Sequence, residues 1–269
     1  MNPSVLFVFI LSILLGVLRA ADLAFGTDAV TGLCVVGSVW WRYLALGIVV
    51  LAAVLVGRTQ PSRSEAVRSR RPLAGILAFA GAVCFLAAAG AQIALGAASG
   101  LGGFVRCILE CLCSAWLSTM GRCWLSPNEW KKPFGGLYLA VAGSLLFYWN
   151  VLLRFMENSS SWHRVEPTAM VWQMLAALVF LSAMVRALWL PETSNGCQLC
   201  EAGICTFLLC FCWELPRVLV LLFHGITAAD LPEVLFGFGM CCIGALGLFT
   251  VARVAGSDGR PAIPRHAVG

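Results

Sequence analysis

The chain has 269 residues, 60% hydrophobic and 12% charged, with a formal charge of +5 and a mean hydropathy of +0.89. A soluble domain carries about a quarter of its residues as charges, so the composition excludes a water-soluble globular protein and points to a membrane chain. The 18 cations are mostly borne between apolar runs, so the positive charge is no nucleic-acid signature and no nucleic-acid partner is expected.

A hydrocarbon core about 30 Å thick takes about 20 apolar residues of helix. Eight runs answer that description, near residues 4–18, 33–57, 73–97, 104–120, 134–155, 168–190, 199–223 and 234–254. The expected fold is all-α, a polytopic bundle of about eight transmembrane helices. It fills residues 1–255 as one domain and leaves a short disordered tail over 256–269. No connection approaches the ~50 residues of a soluble domain, so function must live in the bundle or arise through a membrane protein partner.

The first run has the length of a signal-peptide core. Met1-Asn2-Pro3-Ser4 supplies no basic leader, however, and Leu18 stands where cleavage wants a small residue, so a retained helix is expected. Residues 58–72 hold Arg58, Arg63, Arg68, Arg70 and Arg71. Such a segment is expected to be disordered and to lie against anionic headgroups. The fourth run is short and carries Arg106 and Glu110. It is read as a true span, because the charge bias described next vanishes if it lies on the surface. Asn158-Ser159-Ser160 is a glycosylation sequon, relevant only in a eukaryotic secretory pathway. Cys197-Gln198-Leu199-Cys200 lacks the second cysteine pair that structural zinc wants, so no metal and no cofactor are expected.

Orientation follows from the connections. With the N-terminus inside, inner segments hold twelve Lys and Arg residues and outer segments hold Arg19, Arg154 and Arg164. Both termini are therefore expected to be cytoplasmic. The Arg-rich, Ala- and Gly-rich usage suggests a GC-rich genome, and the expected location is a cell membrane, the bacterial inner membrane. None of the 13 cysteines lies in the outer connections 19–32, 98–103, 154–167 or 224–233, as thiols kept reduced or buried would be arranged.

Polar residues within the runs share one depth. Arg42, Gln92, Arg106, Glu110, Asn150, Gln173, Glu214 and Arg217 all fall in the outer half. Four directly follow a tryptophan: Trp41, Trp149, Trp172 and Trp213. Intramembrane charges are costly, so they pair or line a cavity. Arg106 with Glu110 and Glu214 with Arg217 share helix faces, and Glu110 can also reach toward Arg217. Two readings stay open: a lock between helices, or an outward pocket walled by the four tryptophans. Three arginines (Arg42, Arg106, Arg217) against two glutamates leave one positive charge, which favours an anionic or zwitterionic small ligand. Pro216 interrupts the seventh run and releases the Cys212 carbonyl, as a hinge or a static bend.

The inner half is bare, apart from an i,i+4 thread of Arg106, Glu110, Ser114, Ser118 and Arg122. That weighs against a small-solute transporter. The lack of outer histidine–acid pairs weighs against a lipid-acting outer-leaflet enzyme. A non-catalytic binding, sensing or partner subunit is the expected function.

Overall fold

A computed structural model describes residues 2–28, 33–60, 65–69, 71–98, 100–126, 133–156, 165–190, 195–225 and 227–255. Eight helices in it are long and apolar enough to cross a membrane. They are α1 (Pro3–Gly26), α2 (Val39–Arg58), α3 (Pro72–Ala94), α4 (Gly100–Leu125), α5 (Gly136–Met156), α6 (Val165–Trp189), α7 (Gly196–Phe223) and α8 (Leu231–Val254). The chain is an all-α polytopic bundle, and no strand occurs among the described residues. A helix satisfies its backbone groups within its own segment, as lipid requires.

Local chemistry sets the helix starts. Pro3, Pro72 and Pro232 occupy first turns, where their missing N–H costs nothing. The Asn2 side chain accepts from the Ser4 N–H at 3.2 Å, and the Ser38 hydroxyl accepts from the Trp40 N–H at 3.3 Å. Both are N-caps.

Odd-numbered helices run away from the end where α1 begins and α8 finishes, and even-numbered helices return. We call that end terminal and the opposite end distal. α8 and α7 are innermost, with 67% and 61% of their most apolar stretch buried, against 22% for the peripheral α2. Small residues permit this closeness. A Cβ at Gly247 would stand 2.5 Å from the Gly203 carbonyl oxygen, and one at Gly244 would stand 2.7 Å from the Phe211 nitrogen. Ala74, Ala78 and Ala82 are likewise buried along α3.

The boundaries depart from expectation in three places. α1 does not stop at residue 18. It continues through a π-helical turn, Asp22–Gly26, because Arg19 and Asp22 pair on it at 2.9 Å; Arg19 is thus a helix residue and 4% exposed. α2 begins at Val39, so Cys34 sits outside it in the distal connection, where it bridges to Thr27. The expectation that distal connections hold no cysteine fails at this residue. α4 is longer than the run 104–120 at both ends, and Arg122 belongs to its last turns.

Residues 58–72 also differ from the disordered strip expected. Glu65–Arg68 forms a 3₁₀ turn whose Val67 is fully buried. The Trp124 indole N–H donates to the Val67 carbonyl at 3.2 Å. Arg68 donates to the Leu188 carbonyl at 2.6 Å, placing a cation at the C-terminus of α6, where the helix dipole favours it. An apolar plug and two hydrogen bonds thus fasten this stretch beneath the bundle. Residues 61–64 and 70, the sequon at 158–160 and the tail 256–269 lie outside the described residues.

Candidate functional site

At the distal end, five helices surround a cavity of about 110 Å³. Arg106 of α4 enters one wall and Asn150, Leu153 and Arg154 of α5 another. Met170, Gln173 and Met174 come from α6, Glu214 and Arg217 from α7, and Glu233, Phe236 and Met240 from α8. Apart from α4, which supplies Arg106 alone, each helix contributes residues spaced by three or four, the periodicity of one helical face. Met174, Phe236 and Met240 are 8%, 3% and 1% exposed and give the cavity its apolar lining.

Two ion-pair chains hold the walls. Arg106 Nε donates to Glu110 Oε1 at 3.0 Å and its Nη1 to Glu233 Oε1 at 3.0 Å, while its guanidinium stacks 5.0 Å above the Phe236 ring. Gln92 Nε2 donates to both Glu110 oxygens at 2.9 and 3.1 Å, and the Cys107 thiol donates to Gln92 Oε1 at 3.5 Å. On the other side Arg217 Nε donates to Glu214 Oε1 at 3.0 Å, and Glu166 lies 3.6 Å from the same Nε. Glu110 and Glu214 are 0% and 2% exposed. Carboxylates this deep are tolerable because each is paired and hydrogen-bonded.

The second chain is joined to an irregularity in α7. Residues Phe207–Trp213 form a π-helix just ahead of Pro216. The Glu214 N–H turns to the Phe211 carbonyl, and the Leu209 carbonyl accepts instead from Gln173 Nε2 at 3.1 Å. The same Nε2 donates to Glu214 Oε2 at 3.0 Å. One amide from α6 thus bridges the wide turn and the buried acid. π-Turns of this kind recur at functional sites.

Of the residues expected to converge, Arg106, Asn150, Gln173, Glu214 and Arg217 line the cavity. Glu110 stands behind Arg106 with Gln92. Glu110 and Arg217 do not pair; each takes an acid or base on its own helix first. Arg42 departs altogether. It pairs with Asp22 and donates to the Gly26 and Val36 carbonyls at 2.9 and 3.2 Å, closing the end of α1 beside Arg19. A Cβ at Gly26 would stand 2.5 Å from Asp22 Oδ1 and 2.9 Å from Arg42 Nη2, so a larger residue there would push the ion pair aside.

The tryptophan wall is a correction. Trp41 is 71% exposed. The Trp149 indole donates to the Gly102 carbonyl at 3.2 Å, tying α5 to α4. Trp172 is half-buried on the opposite side of α6. Trp213 lies beneath the Arg19 guanidinium, 4.8 Å from its ring centre. Neighbouring helical residues point about 100° apart, so a tryptophan beside a cavity residue faces elsewhere. The aromatic lining is Phe236.

Glu166, Glu233 and Arg154 were the members missed. Each lies at a helix end, in what reads as a connection. The available signal was helical spacing carried past the apolar run: Glu166, Met170 and Gln173, or Glu233, Phe236 and Met240. The charge count changes accordingly. Arg106, Arg154 and Arg217 face Glu110, Glu166, Glu214 and Glu233, so the surplus positive charge inferred from sequence is absent.

The remaining candidates are quiet. Cys197 donates to the Gln60 carbonyl at 2.9 Å. Ser114 donates to the Ala82 carbonyl at 2.7 Å, so this member of the polar thread of α4 ties α4 to α3. Among the described residues no group of His, Cys, Asp and Glu is arranged to hold a metal, and none of the 13 cysteines is joined in a disulfide. No protein-family model, curated protein or solved structure matches the chain.

Proposed function

We propose that the chain is a non-catalytic binding or sensing subunit of a cell membrane whose distal cavity faces outward and takes a small zwitterionic ligand. The observation that carries this reading is the cavity of about 110 Å³ walled by charges of both signs within a membrane bundle. Intramembrane ionisable residues mark function by default. An engineered cavity of about 150 Å³ accepts benzene, so this one is on the scale of a ligand of roughly four to six heavy atoms.

A zwitterion fits better than an anion. Arg106, Arg154 and Arg217 can meet a carboxylate, while Glu214 and Glu233 can meet an ammonium group. The four-to-three excess of glutamates leaves no net attraction for a simple anion. Binding fits better than transport, because Met174, Phe236 and Met240 are apolar and Ser114 is already bonded to backbone.

The orientation rests on charge. Assigning each connection to the end its helices reach puts twelve of the 18 cations at the terminal end with five of the 13 acids. The terminal end is then the cytoplasmic one. Ligand contact with Glu214 would compete with Gln173 and so alter its hold on the Leu209 carbonyl, making the π-turn and Pro216 the hinge that reports occupancy.

Purified protein is titrated with glycine, sarcosine and β-alanine, and in parallel with chloride and phosphate, while melting is followed. A saturable rise with a zwitterion, lost in the cavity-filling Met170→Trp variant, is expected. Absence of any rise, or a rise that survives Met170→Trp, overturns the reading.

A further inference from the structure

A second concavity lies on the flank of the bundle, away from the distal cavity and independent of it. It is a groove of about 860 Å³, within the ~300–1,000 Å³ typical of small-molecule sites. α7 forms its floor through Ala202, Cys205 and Leu209, and α2 and α6 form its walls. Val50 and Val54 face Leu175 and Val179 across it.

Its two ends differ. Toward the distal side the walls are clasped together, because the Tyr43 hydroxyl donates to the Thr168 hydroxyl at 3.3 Å. Toward the terminal side it opens between Arg58, Arg186, Gln198 and Glu201. Glu201 engages Arg58 at 3.4 Å. Arg186 is exposed, and no acid lies within ion-pair distance of it among the described residues. The mouth therefore carries one uncompensated cation above an otherwise apolar slot.

Length identifies the occupant. Trp172 to Arg186 spans about 21 Å of helix at 1.5 Å per residue, rather more than half of a hydrocarbon core about 30 Å thick. A slot one leaflet deep, apolar along its length but for Ser182 and cationic only at headgroup level, matches one molecule class. We infer that the groove between α2, α6 and α7 binds an anionic phospholipid of the terminal-side leaflet, one acyl chain lying in the slot and the phosphate at Arg186. A partner helix would find a closed distal end and a charge with no counterpart along most of its length.

The test uses the whole chain in nanodiscs containing equal phosphatidylglycerol and phosphatidylcholine of identical chains, followed by native mass spectrometry of the lipid retained after detergent exchange. Phosphatidylglycerol is expected to be retained preferentially. Retention should fall about fivefold in Arg186→Gln, the effect of one basic residue at an anionic surface, and be kept in Arg186→Lys. Val179→Trp, at a position 56% exposed, should fill the slot and abolish retention, whereas Ile76→Phe on the lipid-facing side of α3 should not. Equal retention of both lipids, retention unchanged in Arg186→Gln and Val179→Trp, or a photocrosslink from Val179 to another polypeptide rather than to lipid would each overturn the proposal.

Discussion

Gly16 of α1 lies directly against the backbone carbonyl of Cys212 in α7, and a Cβ built at Gly16 would stand 2.6 Å from that oxygen. Cys212 is four residues before Pro216, which has no N–H to return to it. α1 therefore covers the carbonyl that proline leaves without its usual helical donor. The two helices meet where α7 is least regular.

Gly16→Ala is expected to destabilise the protein by about 1–3 kcal/mol, as overpacking does. Gly47 meets no atom within 4 Å of its notional Cβ, so Gly47→Ala should stabilise by about 0.5–1 kcal/mol through helix propensity alone. Melting of both variants in one detergent provides the comparison. Equal shifts would show that the Gly16 contact carries no weight.

The ion-pair chains make opposite predictions for two double-mutant cycles. Arg217→Gln with Glu214→Gln should show coupling of about 0.5–3 kcal/mol, and Arg217→Gln with Glu110→Gln should be additive within about 0.5 kcal/mol. Strong coupling in the second cycle would mean that Glu110 and Arg217 pair directly, contrary to the geometry.

Gln173 is expected to matter beyond its size. Gln173→Leu keeps volume but strands the Leu209 carbonyl and one Glu214 oxygen. Leaving a buried polar group unsatisfied costs about 1–3 kcal/mol, more for a charge. A variant melting like the parent would show that the bridge across the π-turn is dispensable.

Cys34 supplies a topology test with a native residue. It is the cysteine placed in a distal connection among the described residues, and it is partly exposed. A membrane-impermeant maleimide added to intact cells should label it, and Cys34→Ser should remove that label. Thr59→Cys, exposed at the terminal end, should react only after permeabilisation. Labelling in the reverse order would invert the proposed orientation.

Helix number was legible because hydrophobic length is a one-dimensional property. Depth was legible for the same reason: Arg106, Asn150, Gln173, Glu214 and Arg217 share a level and meet around one cavity. Rotation was not, since it depends on which faces neighbouring helices bury. Trp41 and Arg42 share that depth, yet one faces outward and the other turns to Asp22. Helix ends were also hidden. Arg19 and Asp22 look like connection residues until their pairing extends α1, and Glu166 and Glu233 look solvated until α6 and α8 are seen to begin beside the cavity. The seven-residue π-segment leaves no mark in composition at all.

That segment also makes α7 unusually tolerant of length at one place. A π-turn absorbs a residue that a regular α-helix would not need, so removing one residue from Phe207–Trp213 lets the backbone relax into ordinary helix while the turns on either side keep their facing. The regular turns Gly196–Thr206 hold no such slack, and a residue lost there would rotate everything beyond it by about 100°. Glu214 and Arg217 would then swing off the cavity. A single-codon deletion is thus a local event inside the wide turn and a re-aiming of the whole distal part of the helix a few residues earlier.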